Sequence, residues 1–201
     1  MHINKISRRG RAILEAAIRL FSLFFWLLVL LGFDGGKGAA VTVIAIVIHE
    51  LGHEAALFII GAGTRLPLPG LHGFRIKPRR ILSYKEEIFV CAAGPAANLI
   101  AALLLIPFPA EWMRLLLATN LLTAISNLLP VRGYDGYKIL RDTAMLAGSE
   151  RGVRLTDVLS FATASAAVLL SLYAIYALDA GYWIFGVFFI FLLGEVKNSL
   201  N

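Results

Sequence analysis

Long apolar runs separated by short polar connectors dominate this chain. Six apolar segments stand out, at roughly 12–33, 39–61, 87–107, 112–130, 159–178 and 182–196. An α-helix needs about 20 apolar residues to cross some 30 Å of hydrocarbon. Five segments approach that length. The sixth is short for an upright span and would have to tilt or insert thinly. The connectors fall at 34–38, 62–86, 108–111, 131–155 and 179–181. The pattern predicts an all-α polytopic membrane protein of about six transmembrane helices, forming a single transmembrane domain over 1–201.

Composition supports this class. Of the 201 residues 59% are hydrophobic and 16% charged, with a mean hydropathy of +0.77. A soluble domain is nearer half apolar and a quarter charged. The net charge of +6 would raise nucleic-acid binding in a soluble protein, but its distribution follows the positive-inside rule instead. With the N-terminus inside, only Lys37 and Arg114 of the 19 Lys and Arg lie on the outer side. The expectation is a multi-pass integral protein of a bacterial plasma membrane, with both termini cytoplasmic and no nucleic-acid partner. Lys5, Arg8, Arg9 and Arg11 precede the first apolar segment as in a signal peptide. That segment is long and has no clear cleavage site, so it is read as a retained span.

Two connectors have predicted structure of their own. Pro67, Pro69, Gly70 and Gly73 break helix in 62–86, and Phe74, Ile76, Ile81 and Tyr84 give its second half strand character. A short β-hairpin at the membrane surface is expected within 63–84. The connector at 131–155 is expected to hold a short interfacial helix near 137–147.

The chemistry concentrates in the second span, which reads His49-Glu50-Leu51-Gly52-His53-Glu54. Histidines at i and i+4 share one helical face and can share one metal ion. Glu50 can reach a water on that metal without being a ligand. Zinc supplies the nucleophile that amide hydrolysis needs by lowering the pKa of water to about 7, and a carboxylate shuttles the proton. In soluble helices the same pattern is often only a polar face. Here two His and two Glu lie in hydrocarbon, an expensive placement unless a metal, a cavity or a proton path uses them. The single cysteine, Cys91, excludes an internal disulfide and any Cys-x-x-Cys metal site. A third zinc ligand must then come from His2, His72 or a carboxylate. Asp135 is the better placed, because Pro130 and Gly133 break the helix before it and let it fold back toward membrane depth. Asp135-Gly136 alone is only a turn signal.

Three blocks together resemble the site-2 protease family of intramembrane zinc metalloproteases. They are His49-Glu50-Leu51-Gly52-His53; Gly94-Pro95-Ala96-Ala97-Asn98, preceded by Lys85-Glu86-Glu87; and Asn127-Leu128-Leu129-Pro130 followed by Asp135-Gly136. The resemblance covers roughly 39–140 and implies a three-helix catalytic core there. It implies that His49, His53 and Asp135 bind zinc and that Glu50 activates the water. It also implies that Asn98 and Asn127 hold substrate. The expected substrate is a single-span membrane protein, such as a pro-sigma or anti-sigma factor in regulated intramembrane proteolysis, with a regulatory membrane partner conceivable. The compact layout is most similar to the sporulation-type branch, with no room in 62–86 for a PDZ domain and none expected for a CBS domain. Tyr137 departs from the commoner Asp-Gly-Gly.

Two rival readings remain. A membrane zinc transporter or metal sensor needs further ligands along a path through other spans. An inactive scaffold would not need Glu50 together with all three candidate ligands.

Overall fold

The computed structural model describes residues 37–70 and 73–178, with residues 185, 186, 188, 189, 192, 193 and 195 beyond them. The expected first span, His2, His72 and most of the expected sixth span lie outside the described residues.

The described chain runs α1 (Lys37–Ile59), β1 (Thr64–Gly70), β2 (Gly73–Pro78), α2 (Tyr84–Leu105), α3 (Glu111–Asn127), α4 (Asp135–Leu146) and α5 (Glu150–Leu178). Three helices are long and apolar enough to cross a membrane, over Ala40–Ile59, Tyr84–Leu105 and Glu150–Ala177. The expected fourth span is a helix of 17 residues, roughly 26 Å at 1.5 Å per residue and so a little short of an average bilayer core. The fold is that of an all-helical membrane protein with one small hairpin.

Helix boundaries depart from the hydropathy reading where caps and charges decide them. α2 begins at Tyr84 instead of 87 because Ser83 caps it. The Ser83 hydroxyl accepts from the Glu86 N–H, and the Glu86 carboxylate accepts from the Ser83 N–H at 2.9 Å. Glu86 also pairs with Arg80, which binds the Ile60 carbonyl at 3.2 Å, so one junction ties the hairpin exit to the end of α1. α5 begins at Glu150 instead of 159. Its 29 residues span about 44 Å, more than the bilayer core, so the first turns with Arg151, Arg154 and Asp157 extend beyond hydrocarbon. α4 matches the expected interfacial helix within two residues at either end.

β1 and β2 pair antiparallel from Thr64↔Pro78 to Gly70↔Gly73, with an irregularity between Arg65 and Leu68. Pro67 lies in that interval and has no N–H for the ladder, so the strand bulges there.

The packing is inside-out relative to a soluble protein. Ala45, Ala124, Asn98, Asn120 and Ser160 are fully buried, while Phe58, Leu104 and Tyr176 are 85%, 68% and 91% exposed. Small residues let helices approach closely where lipid gives no hydrophobic drive for helices to associate, and large apolar ones face the lipid. Thr119, Thr123 and Thr156 return their hydroxyls to carbonyls four residues earlier, so few polar groups face lipid unpaired.

Against this bundle the 128–134 loop is held by a polar clasp. The Arg132 guanidinium binds Asp157 of α5 at 2.6 Å and lies 3.5 Å from buried Glu195. Its backbone N–H donates to Ser160 and Glu195, and Tyr137 donates to Asp157 at 2.7 Å. Replacing Arg132 by Met keeps the stem and removes the charge, leaving the Glu195 carboxylate buried without its cation. We expect a loss on the order of 3 kcal/mol, toward the low end of what removing one partner from a buried pair costs. Thermal unfolding in micelles measures it, and combining the change with Glu195→Gln should restore part of the loss.

Candidate metal centre

The site is assembled from three helices. α1 supplies His49 and His53, one turn apart on one face, with ring centroids 4.7 Å apart and planes perpendicular. α4 supplies Asp135 as its first residue, where a carboxylate also suits the positive end of the helix dipole. α2 supplies the wall facing the rings. A Cβ on Gly94 would overlap the imidazoles of both His53 and His49, so only glycine lets α2 pack there. Gly136 does the same for α4. A Cβ there would strike the carbonyls of Leu128 and Leu129 at the end of α3. The glycine after Asp135 therefore sets how deep the carboxylate sits.

Three atoms converge. His49 Nε2 and His53 Nε2 are 3.1 Å apart, and Asp135 Oδ2 is 3.2 Å from each. All three residues are buried or nearly so. The hydrogens are assigned by the opposite side of each ring. His53 Nδ1 lies 2.7 Å from the Val90 carbonyl, which only accepts. His49 Nδ1 lies 2.9 Å from Asn98 Oδ1. Each Nδ1 therefore carries the hydrogen, and each neutral ring turns its Nε2 lone pair inward. Asp135 Oδ2 is buried and makes no hydrogen bond despite its short distances to the rings.

Three acceptors thus face one another with no donor between them. A single added proton would bridge one edge of the triangle, whereas a cation at its centre serves all three atoms. Ligand atoms at about 2.0–2.1 Å from zinc in a tetrahedron stand roughly 3.3 Å apart. The observed edges of 3.1–3.2 Å are close to that spacing. The residues fit a divalent ion held by two imidazoles and one carboxylate, with a coordination position left for water or substrate. Burial disfavours the charged form of the Asp135 carboxyl, and the Lys138 ammonium beside it favours that form. Lys138 Nζ sits 3.4 Å from Asp135 Oδ1, the oxygen turned away from the rings.

Glu50 is half-buried beside this triangle, within electrostatic range of His49, His53, Asp135 and Lys138. It adds a carboxylate next to the metal position without entering the group of three.

No family model matches the chain, and no curated protein does. A solved structure does: the site-2 protease from Methanocaldococcus jannaschii superimposes with a TM-score of 0.66. The match covers 89% of this chain and 88% of that one, at 20% identity. The chain has the site-2 protease fold. At that identity the likeness carries the fold, and what the site can do rests on its own residues.

Within the site-2 protease fold the structure separates the sequence candidates. His49, His53 and Asp135 come together and Glu50 lies beside them. Asn98 stands behind His49. It has no exposed surface and lies on the Nδ1 side of His49, away from the metal position. Its amide hydrogens go to the Ala45 carbonyl and to Asn120 Oδ1, both at 2.8 Å. Asn127 is half-buried at the end of α3 and donates to the Thr123 carbonyl of its own helix at 2.9 Å.

Three contributors escaped sequence reasoning. The Val90 carbonyl is invisible to any motif, and Lys138 reads as one more inside-face lysine. Asn120 carried a usable signal, since an Asn in the middle of an apolar span has to find a partner.

Gly94→Ala tests the packing. It should cut bound metal well below one ion per chain without unfolding the bundle, as measured by elemental analysis beside a melting curve.

Proposed function

We propose that this chain is an intramembrane zinc metalloprotease that cleaves a peptide bond in or next to a transmembrane segment of a membrane-bound substrate. The observation that carries the reading is the triangle of unpaired acceptors from His49, His53 and Asp135, midway along an apolar helix and beside Glu50. The site-2 protease fold supports it.

Zinc in this position would act as a Lewis acid, activating water and polarising the scissile carbonyl. The chain's own residues do the rest. His49 and His53 offer Nε2 lone pairs whose direction the Nδ1 hydrogen bonds hold. Asp135 Oδ2 adds a negative charge that lowers the cost of burying a cation. The Glu50 carboxylate takes the proton of the attacking water and returns it to the leaving amine nitrogen. Exclusion of bulk water by the surrounding helices keeps these charges strongly coupled.

A helical substrate hides its carbonyls in internal hydrogen bonds, so it must unwind locally to be cut. The hairpin offers an extended partner for the unwound strand. β1 carries Pro67 and Pro69 in its interior, whereas β2 has no proline before its last residue, Pro78. The edge of β2 is therefore the better template for an added strand. Asn127, next to the loop that delivers Asp135, is a candidate contact for substrate backbone. A single-span membrane protein would be the substrate, and a regulatory membrane protein would control access. A transport role would call for further ligand clusters. Among the described residues the group His49, His53 and Asp135 stands without a second one.

Glu50→Gln should lower cleavage of a co-expressed single-span substrate by about 10²–10⁴-fold while bound metal stays at the wild-type level. Unchanged cleavage would sink the protease reading. Single proline substitutions at Phe74, Arg75, Ile76 and Lys77 should each reduce cleavage several-fold at unchanged metal content. Full cleavage in all four would rule out strand pairing at β2.

A further inference from the structure

Asn98 and Asn120 are both fully buried, and their hydrogen bonds form a single line with one direction. Asn120 Nδ2 donates to the Leu116 carbonyl of its own helix at 2.9 Å. That contact turns Asn120 Oδ1 outward as an acceptor. Asn98 Nδ2 then donates to Asn120 Oδ1 and to the Ala45 carbonyl. Both amide hydrogens are used, so Asn98 Oδ1 is left facing His49 Nδ1. An amide rotated by half a turn would set its NH₂ against the imidazole and its oxygen against two acceptors. In a buried site each lost bond costs the full desolvation of a polar group. The polarity of the line is therefore set by two backbone carbonyls, that of Leu116 acting through Asn120 and that of Ala45 acting on Asn98 directly. Its last step requires that His49 carry its hydrogen on Nδ1.

We infer that Asn98 and Asn120 are positioning residues: a two-amide relay across α1, α2 and α3 that locks His49 in the tautomer whose Nε2 can bind the metal. This inference rests on the metal reading of the site and deepens it. It assigns Asn98 to the ligand histidine in place of substrate, and it gives Asn120 a part in the site although it touches neither metal nor substrate. A carbonyl from α2 does the same for His53, so each ligand histidine is oriented from outside its own helix. Partners that orient a ligand histidine this way are commonly worth 10–100-fold in metal affinity.

The test uses the full chain in detergent. Zinc affinity is measured by competition with a chelator, and the tautomer of His49 is read by ¹⁵N NMR on the metal-free protein. The wild type should show His49 with its hydrogen on Nδ1. Asn98→Leu should weaken zinc about 10–100-fold. Asn120→Leu should weaken it about 10-fold, toward the smaller end of that range, and yield a mixture of His49 tautomers. Asn98→Asp keeps an acceptor for His49 and should recover most of the affinity lost in Asn98→Leu. Wild-type His49 with its hydrogen on Nε2 would overturn the relay, and this readout needs no variant to fold. Variants that bind zinc like the wild type and lose only cleavage would also overturn it, returning Asn98 to a substrate role. A wild-type chain that takes up no zinc at all would overturn the metal reading itself, and the relay's role with it.

Discussion

Two imidazole nitrogens and a carboxylate oxygen, each about 3.2 Å from the others with no hydrogen between them, are the constraint on which the rest of this structure depends. Such a triangle is repulsive by itself. Each atom presents a lone pair to two others in a region of low dielectric, where the repulsion is poorly screened. The surrounding fold holds it in place. Gly94 brings α2 against the rings, and Gly136 seats α4 against the end of α3. The Val90 carbonyl and the Asn98 amide hold the two rings from behind.

The bilayer shapes the means by which this is done. Helices in lipid gain little by hiding apolar side chains from one another, so close approach comes from small residues and from interhelical hydrogen bonds. Ala45, Ala124, Asn98 and Asn120 line the interior for that reason, while the large side chains point outward. The polar residues that a soluble core would exclude are the same ones that orient the site. Stability and function are therefore difficult to separate at Asn98 and Asn120, since one set of bonds serves both.

A second polar network stands at the surface end of the bundle. Arg132 joins the loop before Asp135 to α5 and to Glu195. The loop would otherwise be a short irregular segment with its backbone near the membrane, a situation tolerated only where protein or water satisfies it. Anchoring it at Arg132 and Tyr137 places Asp135 between two fixed points, the clasp on one side and the seat of Gly136 on the other.

The sequence by itself determined the all-helical membrane class and brought the candidate metal residues of the second apolar segment into view. Apolar runs of span length are readable because the bilayer imposes one length on every crossing helix. His49, Glu50 and His53 are readable because a helix fixes what lies four residues away. The hairpin announced itself through Pro67, Pro69, Gly70 and Gly73. Helix starts were less legible: a cap at Ser83 and a helix reaching past the bilayer at Glu150 move them by several residues, and hydropathy registers neither. Only the tertiary structure decided that Asp135 meets the histidines, since the contact joins residues more than eighty positions apart through the packing of three helices. It alone decided that Asn98 faces His49, because an amide carries a donor and an acceptor side and the sequence does not say which way it turns. That direction depends on the Ala45 carbonyl and on Asn120, neither of which any local pattern connects to the site.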